Sequence, residues 1–505
     1  MQTLDFCGQV AQPARIHGRR QFFRRALLLL VCAVAGGTIT DLPSAQAADD
    51  AVPRDEVVAA MKKAAGAFHD KVAVHGGYVY FVSLDGQQRL GEGKASPEQI
   101  WVQPPATPTV GLAFLRAYRA TNEKLFLDAA RDAGAALIYG QLKSGGWRNA
   151  IDFDPQGTLA ANYRNGKGKA KGANTSTLDD GATQAALVCL MTLDQALDFK
   201  DQTVHEAARF ALDSLLAAQY SNGAFPQVWT GPVAPHPIVP AKYPDYDWRT
   251  ENRVKEYWNL YTLNDQLAGD VTETLAAAHE IYRDDKCLAA IRRLGDFLIL
   301  AQMPEPQPAW AQQYHYDMQP AWARKFEPPA VTGNESQDVL ETLIEIYRLT
   351  GDKKYLAPIP AALKYLNGSL LPDGQLARFY ELKTNRPLYM TSKYELTYDD
   401  SDVPTHYGWK IKSRLASIEK QFLLAQSEKR PAGKPLPKPA PKKVKPEEVR
   451  KLIQALDPQG RWVSKANGEP LVGQPKFKPG EAYLSSQTFS RNLETLANFL
   501  LQPAP

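Results

Sequence analysis

Apolar residues recur at three- and four-residue spacing along most of the chain beyond residue 50, a pattern that predicts amphipathic helices. The helices come in pairs joined by short turns, and each pair is followed by a long loop. The predicted pairs are 110–118 with 124–142, 181–196 with 203–219, 265–282 with 286–302, and 337–349 with 353–366. One pair cannot bury its apolar face alone, so neighbouring pairs must stack.

The spacing of the repeat predicts the class of fold. Trp147, Phe225 and Trp310, which mark the ends of successive pairs, are 78 and 85 residues apart. A tetratricopeptide solenoid has a shorter repeat and briefer loops. We therefore predict an all-α protein, an (α/α) toroid, closed or partial, with long loops on one functional face and minor β-hairpins.

Four segments are expected along the chain. Residues 1–47 have an arginine-rich start, an apolar run and the cleavage pattern Ala45-Gln46-Ala47, which predict a signal peptide. Arg19 and Arg20 fit a twin-arginine signal, and ordinary Sec export fits equally well. We expect a toroid at 48–428, a Pro/Lys-rich linker at 429–446, and a helical extension at 447–505 that packs on the toroid. The mature protein would be periplasmic or extracellular.

The charge distribution excludes one class of partner. The full chain has a net charge of +4, and without residues 1–47 it falls to +1. A cluster of seven Lys and Arg at 429–445 holds much of the positive charge, and the rest of the mature chain is at −6. No basic face remains to meet phosphates, so nucleic acid is not an expected partner. We also expect no membrane association after signal cleavage, and a monomer.

Acidic residues stand at the predicted starts of two helices. Asp179 and Asp180 precede the helix at 181–196, and Asp265 opens the helix at 265–282. Helix capping would explain one acid at each start, but two adjacent acids exceed what a cap needs. Oxygen ligands from separate loops at one end of a toroid are what Ca²⁺ requires.

Cations and aromatic residues share two other loops. Residues 322–329 read WARKFEPP and place Arg324 and Lys325 in a stiff aromatic loop. The loop 228–258 is unusually long, which is typical of functional or disordered segments, and it carries Arg249 and Arg253. These side chains suit a sugar-acid ligand.

Other catalytic signatures are missing from the sequence. It has no HExxH, P-loop, GxGxxG or G-x-S-x-G pattern. His236 and His315 are the only histidines in loops of interest, and each is more simply structural. Zinc catalysis therefore has little support.

Four sequence pieces, in order and in the context of helix pairs, resemble the pectate lyases of polysaccharide lyase family ten. They are LDDGAT at 178–183, NGAFPQ at 222–227, LND at 263–265, and WARKFEPP with NES following at 334–336. The resemblance covers about 76–409. It implies an (α/α) toroid and Ca²⁺-dependent β-elimination on polygalacturonate.

The resemblance also implies roles for particular residues. Arg324 would be the base that removes the C5 proton, and Asp179 and Asp265 would lie at the Ca²⁺ and substrate cleft. From chemistry rather than from the family pattern, Lys325, Arg249 and Arg253 are candidates for binding uronate carboxylates, as is Asp180 for substrate binding. An arginine is normally protonated, so Arg324 could instead clamp a substrate carboxylate.

Departures from the family pattern keep the polymer open. The usual Gly-Gly-Trp-Pro-Gln reads GAFPQ at 223–227, and Asp180 replaces the usual asparagine. Two alternatives remain at this point. One is a glycoside hydrolase on an α/α barrel that pairs Asp179 or Asp180 with Asp247 or Asp265. The other is a non-catalytic polysaccharide-binding toroid.

Overall fold

The computed structural model describes residues 52–250, 254–428, 443–468 and 477–502. The predicted signal peptide, residues 429–442 of the predicted linker, and Arg253 lie outside the described residues. The chain divides into two compact units. The first contains the described parts of Val102–Pro104 and Tyr139–Leu436, and the second those of Ile16–Trp101, Pro105–Ile138 and Pro437–Pro505. The domain boundaries drawn from the sequence stay a prediction.

Helices dominate the part of the chain that the structure describes. They are α1 (Arg54–Val72), α2 (Thr107–Thr121), α3 (Lys124–Tyr139), α4 (Ala182–Ala196), α5 (Gln202–Ala217), α6 (Leu267–Tyr282), α7 (Asp285–Leu300), α8 (Gly333–Thr350), α9 (Ile359–Gly368), α10 (Leu415–Ser427), α11 (Pro446–Gln454) and α12 (Ser486–Leu500).

The strands are short. They are β1 (Phe81–Ser83), β2 (Arg89–Leu90), β3 (Gln99–Trp101), β4 (Ala150–Asp152), β5 (Ser176–Thr177), β6 (Val228–Trp229), β7 (Tyr261–Thr262), β8 (Gln313–Tyr314), β9 (Val331–Thr332), β10 (Leu376–Ala377), β11 (Phe379–Tyr380), β12 (Pro387–Met390), β13 (Leu396–Thr397), β14 (Lys410–Ile411), β15 (Val463–Lys465) and β16 (Ala482–Ser485).

The first unit is built from stacked helix pairs. Helices α4, α6 and α8 contact one another in series, and α5, α7 and α9 pack against them as the second helix of each pair. Helix α10 then packs on α8 and α9. We call the first helix of each pair the inner helix and the second the outer helix. Each inner helix is apolar on several sides because it packs against the outer helix of its pair and against neighbouring inner helices. This arrangement is a partial (α/α) toroid and confirms the predicted fold class.

A glutamine at the end of an outer helix joins each pair to the next. Gln141, Gln219 and Gln302 use the side-chain amide to donate to two carbonyl oxygens at once. The acceptors are Gly145 and Ala207 for Gln141, Gly223 and Ala290 for Gln219, and Pro308 and Pro358 for Gln302, at 2.9–3.0 Å. One carbonyl lies in the turn that follows, and the other lies in the next outer helix or, for Pro358, just before it, so each glutamine links its turn to the next outer helix.

The strands bring the loops back to the starts of the inner helices. Strand β5 pairs with β6, β7 with β8, and β9 with β11, all antiparallel. The threonine before each inner helix donates its backbone N–H to the carbonyl of an aromatic repeat marker. The pairs are Thr177 to Trp147 (2.9 Å), Thr262 to Phe225 (3.1 Å) and Thr332 to Trp310 (2.9 Å). The loops therefore converge on the N-terminal ends of α4, α6 and α8.

One predicted helix is wrong in its extent. The segment 353–366 is not continuous but forms a 3₁₀ helix at Lys353–Leu356, followed by α9. Pro358 interrupts it, because proline lacks the N–H that a continuing helix would need and clashes with the preceding turn. The other predicted helices are present with ends that differ by a few residues. Cys189 and Cys287 are buried free thiols.

The second unit combines helices with a small sheet. Helix α12 packs along α2 and also contacts α1. The Phe489 ring of α12 stacks on Phe68 of α1 at 4.0 Å. The sheet has the strand order β15-β16-β1-β2, so strands from both ends of the described chain pair within it. Across the described residues, no helix has the length and apolar character needed to cross a membrane.

Candidate active site

The turns that enter α4 and α6 have the same backbone design. Each follows a short strand with a leucine, Leu178 or Leu263, whose N–H donates to the carbonyl of Gln227 or Gln312 at 2.8 and 2.9 Å. A 3₁₀ turn follows, Asp179–Gly181 or Asn264–Gln266. The two motifs are therefore equivalent positions of the repeat, brought to the same end of neighbouring inner helices.

An aspartate occupies the left-handed position of each turn. Asp180 has a φ of 48° and Asp265 has a φ of 55°. Few residues other than glycine adopt such a φ, and aspartate is one that tolerates it. In this equivalence Asp180 matches Asp265, and Asp179 matches Asn264, in line with the similar sequences TLDD at 177–180 and TLND at 262–265.

Asp179, Asp180 and Asp265 form one acidic cluster. One carboxylate oxygen from each lies within 4.8 Å of the others, and all three side chains are half-buried. Two oxygens bound to one Ca²⁺ at about 2.4 Å each lie at most about 4.8 Å apart. The donor set, three hard oxygens at this separation, therefore fits a calcium ion.

Neighbouring amides orient the cluster. The Gln103 side-chain amide donates to Asp180 Oδ2 at 3.3 Å, and the Asn264 amide donates to Asp265 Oδ2 at 2.6 Å. The Asp179 backbone N–H donates to Thr177 Oγ1 at 3.0 Å. Amide donors hold the carboxylates in place without bringing a positive charge to them.

Arg324 lies in a loop stabilised by Glu327. Its Nε and Nη2 donate to the two oxygens of the Glu327 carboxylate at 2.9 and 2.5 Å, a bidentate pair. The Arg324 backbone N–H also donates to Glu327, at 3.0 Å. Tyr407 adds a hydroxyl donor to Glu327 at 2.9 Å. Glu327 is 2% exposed and Arg324 is 24% exposed, so only the arginine faces solvent.

This pairing fixes the charges of both groups. Burial opposes charge on Arg324, but the Glu327 carboxylate outweighs it and raises the pKa of Arg324 well above its usual value. Burial alone would raise the pKa of Glu327, but the Arg324 charge and hydrogen bonds outweigh it and lower that pKa. Both groups are therefore ionised at neutral pH.

Tyr257 connects the arginine to the acidic cluster. Burial raises the pKa of its phenol to about 12, and the charges of Arg324, Glu327, Asp179 and Asp265 all act on it. Because one phenol is affected by all four charges, the Arg324 pair and the acidic cluster are near one another and belong to one site. The phenol stays protonated at neutral pH and can donate a hydrogen bond.

The other residues predicted to bind substrate differ in their exposure and in the partners of their side chains. Lys325 is exposed beside Arg324, with Nζ 5.3 Å from the Tyr394 ring centroid. Arg249 is 48% exposed, but it is paired with the buried carboxylate of Glu381 and lies over the Trp248 ring at 4.6 Å. Arg253 lies outside the described residues.

The start of α8 is built differently from those of α4 and α6. Asn334 and Glu335 are fully buried there, and Glu335 pairs with Arg378 at 3.5 Å. The Arg378 guanidinium in turn lies 4.3 Å from the Tyr407 ring, whose hydroxyl bonds Glu327. The motif at 334–336 is thus buried rather than open to solvent, and it supports the Arg324 loop through Arg378 and Tyr407.

Residues 141–369 match a family model described as pectic acid lyase. This segment is similar to the pectic acid lyase family. It is a little under half of the chain and contains the acidic cluster, Arg324 and Glu327. The resemblance seen in the motifs is confirmed, and the chain is a lyase. A search of curated proteins finds no match.

Solved structures offer weaker likenesses. A mutant family 10 polysaccharide lyase from Cellvibrio cellulosa in complex with trigalacturonic acid is 22% identical, with a TM-score of 0.43, over 62% of this chain and 98% of its own. A cellobiose 2-epimerase from Spirochaeta thermophila is 13% identical, with a TM-score of 0.42, over 91% and 99%. Sequence identities and TM-scores this low do not allow an activity of these proteins to be assigned to this lyase.

Sequence reasoning missed two residues of the lyase site. Glu327 is part of the WARKFEPP motif, and its position three residues after an arginine was the signal that could have found it. Tyr257 gave no such signal, since it is one of several aromatic residues in the loop 228–258. The position of Tyr257 near Arg324 and Glu327 depends on how this loop folds.

Proposed function

We propose that the protein is a Ca²⁺-dependent pectate lyase, which cleaves polygalacturonate or a related uronic-acid polymer by β-elimination. The observation that carries the proposal is the acidic cluster with oxygens within 4.8 Å, joined through Tyr257 to a solvent-facing cationic arginine. A site with both signs of charge suits a polyanionic substrate only if a cation bridges the acids and the polymer.

The reaction sets what the site must do. A proton leaves C5 of a uronate residue, the C4–O4 bond breaks, a double bond forms between C4 and C5, and the released oxygen takes a proton. The C5 proton is weakly acidic because it lies beside a carboxylate. Bound Ca²⁺ would supply the positive charge that neutralises this carboxylate and stabilises the negative charge developing on it.

The acidic cluster would hold the cation. Asp179 and Asp265 are the proposed ligands, and the left-handed turns place the Asp180 and Asp265 carboxylates at adjacent helix starts. Gln103 and Asn264 fix the orientation of these groups through hydrogen bonds. A uronate carboxylate bound near this cation would bring the sugar within reach of Arg324.

We consider two roles for the Arg324 side chain, a base and a clamp, and the pair with Glu327 supports the clamp. A base must first lose its own proton, and Glu327 stabilises the protonated guanidinium. This geometry favours a clamp that binds a uronate carboxylate or the developing charge. The base role implied by the family resemblance stays a prediction, since it requires the Glu327 pair to open when substrate binds.

The hydrolase alternative has less support. A general acid needs a raised pKa, whereas hydrogen bonds from Thr250 and from the Arg249 N–H lower the pKa of Asp247. The binding-only alternative does not account for a buried carboxylate that holds Arg324 in place. We also propose that the protein is exported, on the grounds of the signal pattern in residues 1–47, and that it acts as a monomer.

Product analysis tests the proposed reaction. Polygalacturonate would be digested with Ca²⁺ present and the fragments weighed by mass spectrometry. A lyase gives fragments with an unsaturated end, each one water lighter than its hydrolysis counterpart. Fragments of hydrolytic mass would overturn the proposal and support the hydrolase.

The pH dependence of Arg324→Lys separates the base from the clamp. If Arg324 is the base, lysine with its lower pKa retains activity with a rate profile shifted to lower pH. If it is a clamp, the bidentate contact is lost and the rate falls without a shift of the profile.

A further inference from the structure

A patch of aromatic side chains and one lysine adjoins Arg324. The Phe326 ring lies 5.0 Å from Arg324 Cζ. The Tyr394 ring stacks on Phe326 at 5.8 Å, and the His406 ring meets it edge-on at 5.1 Å. We call Lys325, Phe326, Tyr394 and His406 the aromatic patch. Its three rings are half-buried, so each leaves some surface open beside the reacting groups.

Lys325 differs from the other cations near the site. Arg324, Arg249 and Arg378 each have a carboxylate partner, but among the described ion pairs none includes Lys325. Its ammonium lies 5.3 Å from the Tyr394 ring centroid, and the residue is exposed. Lys325 therefore presents a positive charge that the described acids do not neutralise, held above a ring.

The backbone also holds Tyr394 toward this patch. Tyr394 lies in the turn between β12 and β13 with a φ of 64°, a conformation that a bulky residue rarely adopts. The turn is closed by hydrogen bonds from Thr391 N to Glu395 O and from Tyr394 N to Thr391 O, both 2.8 Å. Glycine or asparagine would fit this position more easily, so packing of the tyrosine alone does not explain its presence.

The hairpin is fixed to the site by its sheet. Strand β12 pairs with β11, and β11 pairs with β9, which follows the WARKFEPP loop directly. The sheet therefore joins the Tyr394 turn to the loop that carries Arg324. Tyr394 and His406 lie beyond residue 369, where the match to the family model ends.

We propose that the aromatic patch is a subsite for a uronic-acid residue adjacent to the one that is cleaved. Lys325 binds its carboxylate, and the exposed part of the Tyr394 ring contacts the apolar face of its sugar ring. The proposal rests on the proposed function for the identity of the polymer. It adds a specificity device that is separate from the acidic cluster and from Arg324.

Direct binding without turnover tests the subsite. Retention of the protein in gels containing polygalacturonate would be measured for the wild type, Lys325→Ala, Tyr394→Asn and the control Lys393→Ala. The control removes the same charge from an exposed lysine in the turn of Tyr394. Tyr394→Asn removes the ring but suits the left-handed backbone, so weaker binding cannot be attributed to unfolding.

We expect Lys325→Ala and Tyr394→Asn each to weaken binding about fivefold to tenfold, and Lys393→Ala to change it less than twofold. In steady-state assays Lys325→Ala and Tyr394→Asn should raise KM while leaving kcat unchanged. This result is expected when an interaction is equally strong in the ground state and in the transition state. On methyl-esterified pectin the Lys325→Ala effect should vanish, because the carboxylate is masked, and the Tyr394→Asn effect should remain.

Other outcomes would overturn the subsite. These are wild-type protein that is not retained, equal losses for Lys325→Ala and Lys393→Ala, or no loss for Tyr394→Asn. The proposed reaction fails separately, through products of hydrolytic mass or through no cleavage by a protein that still binds the polymer.

Discussion

The starts of α4 and α6 and the start of α8 occupy equivalent places in the repeat, and all three carry acidic side chains. At α4 and α6 the acids are half-buried and oriented by amides, and they face solvent as a cluster. At α8 the Glu335 carboxylate is fully buried and pairs with Arg378. The same position in the repeat thus serves two different purposes.

The difference lies in where the compensating positive charge comes from. A buried carboxylate is tolerated only with an internal partner, which Arg378 supplies at α8. The acidic cluster is half-buried and brings three carboxylate oxygens within 4.8 Å of one another, a separation that suits a bound cation. The repeat therefore uses one of its turns for support of the Arg324 loop and two for binding.

The largest effect is expected at the binding turns. Replacing Asp179 and Asp265 together by asparagine should lower the rate of cleavage by about 10²–10³ at saturating substrate, because the cation is no longer held. The thermal midpoint should stay the same or rise, since mutual repulsion is relieved. Rate assays and thermal melts of the same preparation check both parts. A large fall in thermal stability would mean that the acids are structural.

Glu335→Ala should have the opposite signature. It leaves Arg378 buried without its carboxylate, which costs about 3–5 kcal/mol of folding free energy. Urea unfolding measures this loss. Half-saturation by Ca²⁺, measured on the remaining folded protein, should not change. A shift in Ca²⁺ dependence without loss of stability would contradict the assignment of the α8 turn to structural support and of the α4 and α6 turns to binding.

The Arg324 loop should respond to acid. Because the folded-state pKa of Glu327 is lowered, its ionised form stabilises the protein above its ordinary pKa of 4.5, and this stability is lost as the pH falls through the lowered value. Each unit of lowering corresponds to about 1.4 kcal/mol. In Glu327→Gln, unfolding followed from pH 6 downward to about pH 3 should vary less with pH than in the wild type. An equal slope would show that Glu327 is not the group responsible.

The smallest effect is expected for Asp180→Asn. The amide keeps an oxygen and tolerates the left-handed φ, but it removes one of three negative charges. The Ca²⁺ concentration for half-maximal rate should rise about threefold to tenfold, with a maximal rate within a factor of two. Titration of the rate with Ca²⁺ checks this. A loss as large as that of the double variant would make Asp180 an indispensable ligand.

Much of the fold could be predicted because each helix pair carries its own periodicity. The repeat, the pairing and the fold class all follow from apolar spacing within about 40 residues of sequence. The break before α9 was missed because the apolar pattern continues across Pro358. The helix breaks there nevertheless, because proline lacks a backbone N–H and clashes with the preceding turn.

The candidate site was predicted only in part. Asp179, Asp180 and Asp265 were found because adjacent acids at helix starts are unusual, and the structure brings them together. The backbone torsions confirm that Asp180 matches Asp265, as the similar segments TLDD at 177–180 and TLND at 262–265 indicate. Tyr257 and Tyr394 were missed because their places depend on how long loops fold back on the sheet pairs.

The most direct test of a cation-dependent elimination is the ultraviolet absorbance of the conjugated unsaturated product during digestion of polygalacturonate. The wild type and Arg324→Ala would be followed first with a chelator and then after Ca²⁺ is restored. The account predicts no rise with the chelator, a steady rise when Ca²⁺ returns to the wild type, and a rate at least about 10²-fold lower in Arg324→Ala. A rise that persists with the chelator, or an equal rise in Arg324→Ala, would contradict it.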